Sequence, residues 1–275
     1  MAGQLIRLPG VTAAAAAGAP RITMTPADAV AARIGSLLHV VSARRMTNRP
    51  EGGVNARCGL TGQELVGSGA NANRIQVVER AGQKGLYMGP AASGGQGAAA
   101  SLKLPEGSLK NSYSIALVVY FDTLDKAGNY ITNLVTGWTG ETYVYSPLRA
   151  YGLQYSSSRA GQLYAGSDSG LAISVPTPAS NQWAVIFVDH NAETGMLNLS
   201  INQAGGQQSL ALPSSMSSMQ PNSRLDLGYA TTNNSLRNSC IAECYVFSQS
   251  LLSTSQSLTQ AQELVTQLKT QYGIA

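Results

Sequence analysis

Charge is scarce in this sequence. Asp, Glu, Lys and Arg make up 12% of its 275 residues, against about 25% in an ordinary soluble domain. The polar surface must therefore come from Ser, Thr, Asn, Gln and Gly, which is commoner on assembled or extracellular proteins than on cytosolic enzymes. Histidine is scarcer still: His39 and His190 are the only two, far apart in the chain. That count, with no Cys-x-x-Cys pair, argues against a zinc site. Three cysteines, Cys58, Cys240 and Cys244, are an odd number in a long chain and make no disulfide framework. They read as free thiols of a chain folded in a reducing cytoplasm. On a regular strand Cys240 and Cys244 would share a face, too far apart along it to bridge. No apolar run reaches the ~18 residues of a membrane span. The stretch VTAAAAAGAP, residues 11–20, has the small residues of a signal-peptide cleavage site, but it is Ala-rich rather than Leu-rich and lacks a basic start beyond Arg7.

What the chain does have is apolar material, 44% of its residues, enough for one large β domain or two small ones. Its charge is unevenly placed. Residues 1–110 carry 12 Lys and Arg against 5 acids, and residues 111–275 carry 6 against 9. Arg33, Arg44, Arg45, Arg49 and Arg57 form the densest basic stretch. It reads either as a docking surface for an acidic partner or as a solvated basic face. Nucleic acid is the weaker partner, because no aromatics interleave these arginines.

The first 24 residues read as an extended arm, with Pro9, Gly10, an Ala run and Pro20. A helix is expected to follow at TPADAVAARIGSLLHVV, with Thr25 as cap, Pro26 at the first helical position and Asp28 as the capping-box acid. Val30, Ile34, Leu37, Leu38 and Val41 would line one face of it, for core packing or an oligomer seam. Between 48 and 100 the chain is rich in Gly and Asn, with short strand-like pieces RIQVVE and KGLYMG. From 101 the β pattern is steady. Strands are expected at 101–104, 112–121, 131–137, 141–146, 150–155, 161–165, 170–174, 182–189, 195–202, 224–229 and 239–247, separated by turns such as HNAETG. A helix then closes the chain, with Leu258, Ala261, Leu264, Val265, Leu268 and Tyr272 in one stripe, a box of Ser253 with Gln256, and Gly273 as stop. The expected class is mainly β, a sandwich or jelly roll with a short C-terminal helix. Residues 1–47 would form an arm and helix for docking or assembly, and 48–275 the sandwich.

An ordered series of motifs resembles the laminin-G-like, concanavalin A-like jelly-roll superfamily. SYSIALVVYF is followed by a strand led by Trp183, an Asp-containing turn VDHNAETG, the partner strand LNLSIN, the apolar-Gly step LDLGYA, and IAECYVFSQSLLS with a helix ending LKTQYGI. The match covers roughly residues 101–275. One departure is the turn after SIN, where Gln203 and Ala204 precede the expected Gly. The resemblance implies a two-sheet sandwich whose members bind glycans or proteins, with Trp183 in the core. Some members are glycosidases.

The residues argue against an enzyme. A retaining glycosidase needs two carboxylates about 5–5.5 Å apart, and no E-x-D-x-x-E series of the hydrolase relatives is present. Asp122/Asp125 and Asp189/Glu193 fall at expected turns, where carboxylates cap backbone amides. His190 beside Asp189 reads as a solvated turn histidine, since neighbours on a strand face opposite ways. Calcium, common in lectin-like relatives, would be held most plausibly by Asp122, Asp125 and Asn129 of one loop, although calcium wants six to eight oxygens. The densest aromatic stretch is GWTGETYVYSPLRAYGLQY, with Trp138, Tyr143, Tyr145, Arg149, Tyr151 and Tyr155. Tyr143 and Tyr145 are expected on one strand face. These rings suit the core, a protein interface or a glycan platform.

Two functional expectations follow. The first is a non-catalytic structural component of a bacteriophage virion, a capsid decoration or tail-fibre protein assembled in the host cytoplasm with other virion proteins, trimeric by the habit of such particles. The second is a carbohydrate-binding module for attachment to a host-surface glycan. No cofactor is expected beyond calcium.

Overall fold

The computed structural model describes residues 24–89, 99–122, 131–151, 153–154, 159–166, 172–211, 219–231, 235–236 and 239–275. The N-terminal arm, Asp125, Asn129 and Tyr155 lie outside these residues. Two antiparallel sheets stack face to face. Sheet A runs in the order β15 (Gln208–Ala211), β14 (Met196–Ile201), β13 (Gln182–Asn191), β8 (Tyr113–Phe121), β17 (Cys240–Phe247), β6 (Gln83–Tyr87) and β5 (Gln76–Arg80). A further strand, β1 (Leu37–Ser42), also pairs with β17. Sheet B runs β12 (Ala172–Pro176), β11 (Gln162–Gly166), β10 (Thr142–Tyr151), β9 (Ile131–Thr139), β16 (Ser223–Tyr229), β7 (Ala100–Lys103), β4 (Glu64–Ser68), β3 (Val54–Arg57) and β2 (Thr47–Asn48).

The molecule has three layers, and this accounts for the unbroken burial of β8 and β17. Side chains of a strand point alternately to its two faces. Ile115, Leu117 and Val119 of β8 enter the core between the sheets with Leu148, Leu225 and Leu227. Ala116, Val118 and Tyr120 face the other way, into a second core. That second core lies beneath two helices, α1 (Pro26–Ala32) and α2 (Ser255–Tyr272). Trp183 is buried in it, against Tyr120 and Tyr272 at ring separations of 5.3 Å, as expected. The expected C-terminal stripe is correct from Ala261 to Tyr272. Its cap is Thr254 with Ser257, one residue after the expected box, and Gly273 closes the helix in the left-handed region.

Several expectations are corrected. The first helix starts at the expected Thr25–Asp28 capping box but stops at Ala32. Gly35 and Ser36 break it, and β1 pairs with β17 from Leu37↔Phe247 to Ser42↔Glu243. The expected stripe is therefore divided: Val30 and Val40 pack beneath the helices, whereas Val41 reaches the inter-sheet core. Residues 26–42 thus pack against the sandwich, α1 in the second core and β1 along β17. Strands expected at 141–146 and 150–155 are one strand, β10, with three register shifts. Pro147 lies among them, where it cannot donate to a ladder. Cys240 and Cys244 do not share a face. A bulge between Ile241 and Glu243 sends Cys240 under the helices and Cys244 between the sheets. No disulfide joins the three cysteines, and all are buried.

The Gly of the LDLGYA step has a physical reason. Gly228 sits in β16 at φ +88°, and a Cβ there would stand 2.7 Å from the Ala100 carbonyl oxygen of β7. Gly228→Ala is expected to lower stability by more than about 1 kcal/mol, read as an earlier urea midpoint with an unchanged slope.

Candidate functional site

Helices α1 and α2 cover the outer face of sheet A. Among the described residues no helix covers the outer face of sheet B. Leu225 and Leu227 of β16 point inward, so Arg224 and Asp226 lie on that outer side, next to Trp138 of β9, which pairs with Arg224; Tyr229, which follows Gly228 at φ +88°, joins them there through its ring contacts with Trp138 and Tyr143. Trp138, Tyr143 and Tyr229 form a ring trio with centroid separations of 5.3–5.9 Å. Trp138 is 4% exposed and its indole N–H donates to Thr136 Oγ1 at 3.0 Å. Tyr143 and Tyr229 remain half-exposed in front of it. The Tyr143 hydroxyl meets Ser146 Oγ, which donates to Asn133.

A charged cluster adjoins the trio. The Arg224 guanidinium lies 5.8 Å from the Trp138 ring centroid, a cation–π distance. Its Nε donates to Asp226 at 3.1 Å, its Nη1 donates to the Gly140 carbonyl, and its Nη2 is 3.8 Å from Glu141. Lys103 of β7 pairs with Glu141 at 3.2 Å, and Ser101 donates to Asp226 at 2.9 Å. Burial pushes the Asp226 carboxyl up, with Arg224 and Ser101 pulling it back. Lys103, by hydrogen bond and charge, holds exposed Glu141 below the usual carboxylate range, with help from Arg224. The surface therefore presents two half-exposed phenol rings beside the exposed Glu141 carboxylate and the partly buried Lys103 ammonium, with the Arg224 guanidinium buried behind them. Such a set can stack on an apolar ring face and hydrogen-bond hydroxyls at its edge.

The structure separates the sequence-predicted aromatics. Trp138 and Tyr143 come together. Tyr145 does not join them: two residues of β10 oppose one of β9 between Tyr143↔Trp138 and Tyr145↔Gly137, and this bulge turns Tyr145 into the inter-sheet core. Tyr151 and Arg149 form a second cluster with Tyr164, across β10 and β11. The Tyr151 and Tyr164 rings are 5.0 Å apart, and Arg159 lies 5.7 and 5.5 Å from their centroids. Tyr151 is 2% exposed and supports the cluster from behind. Arg224, Asp226, Tyr229, Glu141 and Lys103 were not singled out from sequence. Their signal is the strand SRLDLGY, whose charges alternate with buried leucines.

The basic stretch is largely engaged within the chain. Arg44 pairs with Glu243 at 2.6 Å and Arg45 with Asp28 at 2.8 Å, both half-buried. Arg33 pairs with Glu263, Arg49 with Glu64, and Arg57 donates to the Gly62 carbonyl. The fold thus brings a carboxylate to four of these five arginines, Arg33, Arg44, Arg45 and Arg49. Of the calcium residues only Asp122 is described, and among the described residues no group of three or more His, Cys, Asp or Glu is placed to hold a metal.

Asp189 and His190 are also corrected, since both lie in β13 and are buried. Asp189 accepts from Ser114 Oγ, Ser250 Oγ and the Leu251 amide at 2.5–2.8 Å, tying β8 and β13 to the chain leading into α2. His190 Nδ1 is 2.6 Å from the Asn111 carbonyl oxygen. Burial raises the Asp189 carboxyl above its usual value despite these donors. An acid with a raised folded pKa contributes stability below its unfolded pKa and loses it as pH rises. As pH falls from neutral toward the ordinary Asp range the native protein should therefore gain thermal stability relative to Asp189→Asn, a difference read by melting both along that titration.

No family model matches the chain, and no curated protein does. Solved structures do match in fold. Domain 4 of an extracellular GH43 arabinanase from Geobacillus stearothermophilus, solved with arabinotriose, superposes at a TM-score of 0.53 with 16% identity, over 82% of this chain and 98% of that one. The sialidase of Trypanosoma rangeli, solved with sialic acid, gives 0.52 with 10% identity, over 84% of this chain and 33% of that one. At such identities the likeness is one of fold: a β-sandwich, in agreement with the strand order and layers above.

Proposed function

We propose that the chain is a carbohydrate-binding β-sandwich that acts without turnover, with the outer face of sheet B as its binding surface. The observation that carries this reading is the Trp138–Tyr143–Tyr229 trio beside Glu141, Lys103 and Arg224 on the sheet face that no described helix covers. Sugars are recognised by that pairing of flat apolar rings with fixed polar groups. The arabinanase domain of like fold was solved with a bound oligosaccharide, which agrees with the reading. Among the described residues the four buried carboxylates are engaged in the fold: Asp28 with Arg45, Asp189 with serines, Asp226 with Arg224, and Glu243 with Arg44. That favours binding over hydrolysis.

A virion role rests on the N-terminal arm, the scarce charge, the reduced cysteines and the lack of a convincing export signal, and trimeric assembly on the habit of such particles. The arm lies outside the described residues, and the arginines serve internal pairs, so the carbohydrate reading has the better support. Arabinotriose is a suitable first probe. Titration calorimetry should show saturable heat, and incubation should leave the trisaccharide intact. Release of reducing sugar would overturn the non-catalytic part of the proposal, and absence of binding to any oligosaccharide would overturn the rest.

A further inference from the structure

The ring cluster on β10 and β11 lies outside the surface assigned above, yet it is on the same side of the sandwich. Leu148 and Ala150 of β10 and Leu163 and Ala165 of β11 enter the core between the sheets. Side chains alternate along a strand, so Arg149, Tyr151 and Tyr164 face outward from sheet B, with Arg149 directly opposite Tyr164.

The two clusters repeat one construction. Each has a buried ring at the back, Trp138 in one and Tyr151 in the other. Each has half-buried phenol at the front, Tyr143 and Tyr229 in one and Tyr164 in the other. Front and back rings meet nearly edge to face in both: Tyr143 on Trp138 at 5.7 Å and 75°, Tyr164 on Tyr151 at 5.0 Å and 71°. Each has a guanidinium at cation–π distance, Arg224 in one and Arg159 in the other. Arg159 also donates from Nη1 to the Tyr151 hydroxyl at 3.1 Å, which fixes the back ring. Leu153 adds an apolar contact at the border of the second cluster. It is 58% exposed and leans on Gly161, the residue before β11, where a Cβ would lie 2.7 Å from its Cδ2.

The clusters are joined by one strand. Tyr143 and Arg149 both lie on β10, and six residues at the strand rise span roughly 20 Å, somewhat less for the bulges of β10. A trisaccharide is too short to lie on both clusters, whereas a longer chain reaches from one to the other.

We propose that the Tyr164 cluster is a further sugar subsite of the sheet B face, and that the ligand is an extended oligosaccharide lying along β10 across both clusters. This rests on the carbohydrate reading above and adds to it the length of chain. Both subsites stand on one sheet, so the second contact forms at high effective concentration once a chain spans the gap. The test is calorimetry on the full chain with neutral oligosaccharides of three and eight residues, from arabinan first and then from glucan, xylan and galactan. In a series that binds, the octamer should bind at least tenfold more tightly than the trimer, beyond the few-fold that its extra registers supply. Tyr164→Ala should abolish that gain, and Leu153→Ser, at an exposed position, should reduce it at least threefold. Both variants should keep the trimer affinity and melt within a few degrees of the native protein. Tyr143→Ala should weaken trimer and octamer alike. Equal affinity for trimer and octamer, or a gain that survives both Tyr164→Ala and Leu153→Ser, would overturn the extended-ligand proposal and leave the carbohydrate reading standing. No binding in any series would overturn that reading and this one with it.

Discussion

Arg44→Ala is expected to destabilise the protein by about 3 kcal/mol, the low end of the range for breaking a buried ion pair by removing one partner. Glu243 of β17 is fully buried. It accepts from Arg44 Nε at 2.6 Å and from the Tyr272 hydroxyl of α2 at 2.8 Å. Asp28 of α1 accepts from Arg45 and from the Tyr245 hydroxyl, each at 2.8 Å, and lies 3.6 Å from Arg44. One polar network therefore fastens both helices to sheet A. Burial pushes the Glu243 carboxyl up, and Arg44 is the main force drawing it back. Burial also works against the Arg44 charge, but the Glu243 carboxylate overrides it and raises Arg44 above its ordinary value. Without Arg44 the carboxylate is left buried beside neutral partners. Arg44 is 23% exposed, so water moderates the loss. The deficit should shrink as pH falls from 7 toward the usual Glu range, because a raised carboxyl takes its proton earlier in the folded state. Replacing both partners, Arg44→Leu with Glu243→Leu, should recover most of the loss, since the cost lies in the orphaned charge. Urea denaturation of the three proteins checks this. A single-variant loss below about 1 kcal/mol would mean that the pair is a solvated one.

The second large effect concerns binding. Tyr143→Ala and Tyr229→Ala should each weaken oligosaccharide affinity tenfold or more, equivalent to about 1.4 kcal/mol, without lowering the melting temperature by more than a few degrees. Both rings are half-exposed, so truncation removes ligand contact more than core packing. Trp138→Ala would not separate the two effects, because Trp138 is buried behind them. Glu141→Gln is the complementary change. It keeps the shape of an exposed side chain while releasing the Lys103 ammonium, and should alter which sugars bind more than whether they bind.

Long periodic elements were legible from residues alone. The β8, β13 and β17 strands and helix α2 fall within a residue or two of expectation, because each carries many apolar positions at one period. What escaped depended on contacts distant in sequence. The segment after Ala32 has helical spacing, yet β17 recruits it as a strand, and tertiary pairing prevails over a short local pattern. Tyr143 and Tyr145 alternate correctly on paper, but a bulge next to Pro147 parts them. Asp189 lies in a stretch that reads as a turn and instead anchors two strands to the chain before α2. The face proposed for binding was half visible. Trp138 and Tyr143 stood out by aromatic density, whereas Arg224, Asp226 and Tyr229 needed the knowledge that β16 pairs with β9.

The most direct test of the account is an array of neutral and acidic oligosaccharides probed with the native protein and with the Tyr143→Ala, Tyr229→Ala double variant, both shown to be folded. The account predicts that the native protein retains at least one neutral oligosaccharide and that the double variant loses it. Native binding unchanged in the double variant, or no neutral oligosaccharide retained by the native protein, would contradict the assignment of the sheet B face as a carbohydrate site.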